Sequence, residues 1–128
     1  MTLGGSTVGG DLPLLDPTVL RDLEEQLGGP EIVFAFARDY ASLWIQRHQK
    51  IAAAVKRADR DQALDAVISL KVSSAMAGGT RITWLAEALE ALIRAGDFSA
   101  GLTLLGAVKY QGSATVEELQ STYLMSAG

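Results

Sequence analysis

The chain has 128 residues, 48% of them hydrophobic and 20% charged, with a formal net charge of −4 and no cysteine. That is one ordinary domain, large enough to bury a single core. The acidic balance argues against a nucleic-acid or anionic-membrane surface, and the missing cysteines exclude disulfides and thiolate metal sites. Met1–Gly10 has no basic region and no continuous apolar run, so it does not read as a signal peptide. No stretch approaches the ~20 apolar residues of a membrane span, and a cytoplasmic location is the expectation.

Residues 1–12 are rich in Gly, Ser and Thr and read as a mobile arm, with the domain proper at 13–125. Asp16-Pro17 supplies an N-cap followed by proline at the first helical position. The helix it opens carries Leu20, Leu23 and Leu27 and stops at Gly28-Gly29. Pro30 reopens a helix to about Ala58, with Val33, Phe36, Ala37, Tyr40, Trp44, Ile51, Ala54, Val55 and Ala58 at three- and four-residue steps.

Asp59 can cap the next helix, which ends at Gly78-Gly79 and has two apolar faces. Ala63, Ala66, Val67, Leu70, Ser74 and Ala77 share one side, small enough for close packing. Leu64, Ile68, Val72 and Ala75 lie roughly opposite, within an arc of about 80°. The first face builds a core, and the second needs another explanation.

Thr80 reads as the cap of a fourth long segment, with Ile82, Leu85, Leu89, Leu92 and Ile93 inward and Gly96 as its stop. Phe98 to about Leu124 is the last helix, its stripe made by Phe98, Leu102, Leu105, Val108, Val116, Leu119 and Tyr123. Gly106 and Gly112 within it each cost about 1 kcal/mol relative to Ala, which leaves a kink or break open at either. No segment alternates like a strand. Short loops between long helices imply antiparallel neighbours, hence an all-α, up-down antiparallel four-helix bundle with a short additional N-terminal helix.

Chemistry-bearing clusters are scarce. His48 is the only histidine, so a metal centre or a Ser-His-Asp triad has little to draw on. It falls at the edge of its helix's apolar stripe and reads as a half-exposed structural residue. Glu87 and Glu90, and Asp59, Asp61 and Asp65, read as solvated faces, and Trp44 and Trp84 as core or rim packing. No cofactor or metal is expected.

The run Ile68-Ser69-Leu70-Lys71-Val72-Ser73-Ser74, followed by Gly78-Gly79, resembles the signature of histidine-containing phosphotransfer (HPt) domains. That signature reads His-x-Leu-Lys-Gly-Ser-(Ser/Ala), then a Gly-Ala pair as the helix ends. Leu70, Lys71, Ser73, Ser74 and Gly78 match. Agreement extends from Leu14-Leu15-Asp16-Pro17 to Arg81-Ile82 and Leu89-Glu90, over roughly residues 14–124. The chain departs from the pattern at Ile68, where the family carries its phospho-accepting histidine, and at Val72, which replaces a small Gly.

The resemblance implies the same bundle fold and a place in two-component phosphorelay signalling, with a receiver domain or histidine kinase as partner. An imidazole nitrogen is nucleophilic at neutral pH, whereas the Ile68 side chain has no lone pair to accept phosphate. The chain is therefore expected to be no enzyme but a degenerate HPt domain, an adaptor or competitor. Its partner-binding residues would be Leu64, Ile68, Lys71, Val72 and Ala75, with Lys71 a cation that has no phosphoryl group of its own to hold. Two alternatives stand beside it: a structural module that forms a homodimer through the Ile68 face, and a phosphocarrier using His48. On a solvated face, Ile68→Asp would change folding stability by no more than about 0.5 kcal/mol.

Overall fold

The computed structural model describes residues 12–125. The expected arm lies, except for Leu12, outside them. The described residues form five α-helices and no strand: α1 Pro17–Leu27, α2 Glu31–Lys56, α3 Arg60–Ala77, α4 Thr80–Arg94 and α5 Phe98–Leu119, the last running into a π-helical turn, Gln120–Leu124. Consecutive helices are joined by two or three residues. α3 packs between α2 and α4, and α5 closes against α4 and α2; α1 lies on α2 and α3. The core they share includes Tyr40, Trp44, Ile51, Leu70, Leu85, Leu89 and Leu119.

The caps explain most of the boundaries. The side chains of Asp16, Asp59 and Asp97 accept from backbone amides in the first turns of α1, α3 and α5. Thr80 does not cap α4. The N-cap is Gly79, because the turn that ends α3 runs straight into α4, and the Thr80 hydroxyl instead donates to Pro13 O at 2.6 Å. Arg81 adds two donors to Leu12 O, at 2.6 and 3.0 Å, so the chain before α1 is tied to the start of α4.

Gly78 joins these pieces. Its φ is +85°, and a Cβ there would stand 2.5 Å from Asp16 O. Asp16 N in turn donates to Gly78 O at 2.7 Å. No other residue type admits α1 so close to the end of α3.

α2 ends in the same kind of turn without a glycine. Ala58 N donates to Val55 O and Asp59 N to Ala54 O, both at 3.0 Å, with Ala58 at φ +56°. This left-handed conformation costs an L-residue about 1–2 kcal/mol. Ala58→Gly removes that cost and returns part of it through the greater freedom of glycine in the unfolded chain, about 0.4–1 kcal/mol. The expected outcome is a net gain of about 0.5–1 kcal/mol, read as a higher urea midpoint at unchanged slope. A lower midpoint would contradict it.

α5 is unbroken through both of its interior glycines, from Phe98 to Leu119. Beyond Leu119 it widens where the hydroxyls of Ser121 and Thr122 both donate to Glu118 O. Tyr123 then reaches back to α1, where its hydroxyl donates to the Glu24 carboxylate. Burial, reinforced by that carboxylate, pushes the Tyr123 phenol well above its ordinary pKa.

Candidate functional site: the outer face of α3

α3 buries Ala63, Val67, Leu70, Ser74 and Ala77, with Ala66 half-buried, so the inward face anticipated from the spacing is the inward face observed. The one buried hydroxyl among them, Ser74, shares a 2.6 Å hydrogen bond with Tyr40 of α2. Burial pushes the Tyr40 phenol pKa up and keeps it neutral.

The second face divides in two. Leu64 and Ile68 are half-buried and pack on the rim of the core. Val72 and Ala75 are exposed, Val72 at 51%. Met76 of α3, 44% exposed, and Trp84 of α4, 41% exposed, add apolar surface that the spacing argument did not include. Met76 sits at the edge of its helix's apolar stripe, where a periodicity count gives the weakest signal, whereas Trp84 lies on the side of α4 away from the buried Ile82, Leu85, Leu89 and Ile93. Trp44, in contrast, is core.

Lys71 is not an idle cation. Its Nζ lies 2.8 Å from Glu90 Oε1, and Glu90 Oε2 accepts from Arg94 Nη2 at 2.7 Å and Nε at 3.0 Å. Glu90 therefore belongs to no solvated face: its side chain is only 13% exposed and holds α3 and α4 together along the edge of the Ile68 stripe. The Lys71 ammonium, then Arg94, holds the Glu90 carboxyl below its ordinary value of 4.5. A lowered acid pKa stabilises the fold above the unfolded-state value, and that contribution is lost as the pH falls through the folded-state value. Melting temperatures should therefore fall below about pH 4.5 more steeply for the natural chain than for Glu90→Gln. Parallel curves would show that the cluster adds nothing to stability.

On the opposite edge, Arg47 of α2 donates from Nη1 to Ser73 Oγ at 2.9 Å and to Ser69 Oγ at 3.4 Å. The signal for Arg47 in the sequence is that it interrupts the buried Tyr40, Trp44, Ile51 stripe at helical spacing, although periodicity alone assigns it no partner.

His48 faces another way. Its Nε2 lies 3.1 Å from Leu105 O, and a carbonyl only accepts, so Nε2 carries a proton and ties α2 to α5. Its ring stands 5.9 Å from that of Trp44. The geometry fits the structural role expected of it.

Chemically, the outer face of α3 offers apolar contact between two polar edges and no nucleophile at position 68. Among the described residues no group of three or more His, Asp or Glu side chains is placed to hold a metal ion, and no helix is long and apolar enough to cross a membrane. Comparison of the chain with protein-family models, with curated proteins and with solved structures finds no match.

Proposed function

We propose that the chain is a pseudo-phosphotransfer module: an up-down antiparallel four-helix bundle of HPt type that docks a receiver domain or histidine kinase of a two-component system without accepting phosphate. The carrying observation is the apolar step from half-buried Ile68 to half-exposed Val72 at the middle of α3, where the HPt signature has a histidine and a glycine. Further support comes from the packing order, α2 to α3 to α4 to α5 and back to α2, with short α1 against α2 and α3.

Val72, Ala75 and Met76 leave an apolar strip in water, and contiguous patches of that kind commonly mark interaction sites. The docked partner covers the strip, and the absence of a nucleophile makes the complex a dead end for phosphate. Incubation with an acetyl-phosphate-charged receiver domain should leave no acid-labile phosphate on the chain. A phosphorylated His48 peptide would replace the adaptor role by that of a carrier. Concentration-dependent dimerisation blocked by Val72→Asp, with no receiver binding, would make the face a homodimer interface instead.

A further inference from the structure

Arg47 stands out among the cations of the chain. It is half-buried, yet the two groups it meets, Ser69 and Ser73, are neutral. The ion pairs among the described residues join Arg38 to Asp39 and Lys71 and Arg94 to Glu90, so no carboxylate neutralises Arg47. A guanidinium carries five N–H donors, and most of those of Arg47 remain unspent.

The two serines are equally distinctive. Hydroxyls of Ser42, Thr83, Thr103, Thr115, Ser121 and Thr122 donate to a backbone carbonyl three or four residues earlier. Ser69 and Ser73 instead accept from Arg47, and no carbonyl takes their protons. A hydroxyl that accepts from a cation keeps its own O–H to give, so two O–H donors and the guanidinium edge are left for a third party. At this point Arg47, Lys50, Asp65, Ala66 and Ser69 line an open cavity of about 250 Å³. Arg47 and Lys50 outweigh Asp65 there by one positive charge.

We propose that this α2–α3 groove is an oxyanion seat. It holds a phosphate or carboxylate group through the Arg47 guanidinium and the Ser69 and Ser73 hydroxyls, with Lys50 as a second positive charge and Asp65 limiting the affinity. The seat is independent of the docking role. It uses the α2 edge of α3, needs no partner protein and can be read on the isolated chain.

The test is a ¹⁵N NMR titration of the chain with inorganic phosphate and, separately, with sodium acetate, each against sodium chloride at matched ionic strength. Saturable shifts are expected at the Arg47 Nε–H and at the amides of Ser69 and Ser73. The anion that saturates at lower concentration identifies the seat as one for phosphate or for carboxylate. Arg47→Gln should abolish saturation, and the Ser69→Ala/Ser73→Ala double change should weaken it by about tenfold or more. Asp65→Asn should tighten it. The double serine variant keeps the test decisive should Arg47→Gln fail to fold. Shifts no larger than those from chloride, saturation that survives Arg47→Gln, or an affinity left unchanged by the double serine change, would overturn the seat. Loss of receiver docking in Val72→Asp with phosphate binding intact would separate this site from the docking face.

Discussion

Gly112→Ala is expected to destabilise the fold by about 2–4 kcal/mol, while Gly106→Ala in the same helix stabilises it by about 0.5–1 kcal/mol. By helix propensity alone, the two substitutions should be equivalent gains. At Gly112, however, a Cβ would stand 2.0 Å from Cζ2 and 2.1 Å from Cη2 of Trp44, well inside contact distance. The indole cannot simply rotate away, since it is buried and its Nε1 donates to Ser113 Oγ at 3.2 Å. Relief requires moving α5 off α2 or giving up that bond and the packing around it. Gly106 has nothing within 4 Å of the same added atom. At roughly 3–5 °C per kcal/mol for a domain of this size, the two variants should melt on opposite sides of the natural chain. Equal shifts of one sign would show that α5 does not pack on Trp44 through Gly112.

The second large effect is on docking. Val72→Asp should leave the fold within about 0.5 kcal/mol, because half of that residue is already in water. In a dry interface the same carboxylate would be buried without a partner, a penalty of several kcal/mol, so receiver binding should fall below detection. Ile68→Asp is the poorer probe. The sequence suggested a surface substitution, but Ile68 packs on the rim of the core and its replacement should cost about 1–2 kcal/mol of stability as well. A Val72→Asp chain that melts normally and still binds a receiver at full strength would remove the face from the interface. Normal melting checked beside binding is what separates the two effects.

The helices were legible because their signals are local. Asp16-Pro17, Asp59 and the Gly-containing turns fix ends that a three-residue window can see, and the inward face of α3 follows from its period. What escaped the sequence depends on pairs far apart in the chain. Gly112 looked like a weak point and is a socket for Trp44; Thr80 looked like a cap and is a tie to Pro13. Lys71 looked free because its carboxylate lies 19 residues away on α4, and Arg47 carried no sign of a role because its serine partners lie on α3. The α3 face was found as a set of positions, Leu64, Ile68, Lys71, Val72 and Ala75. Periodicity gives direction around a helix but not depth, so it could not divide the rim residues from the exposed ones.

The most direct measurement for the adaptor role is an amide chemical-shift map of the chain titrated with receiver domains of two-component systems. Docking through the proposed face predicts perturbations at Leu64, Ile68, Lys71, Val72, Ala75 and Met76, saturating with at least one receiver and leaving the α2–α5 side around His48 unmoved. A map centred on His48 and Leu105, or no saturable perturbation with any receiver, would contradict it.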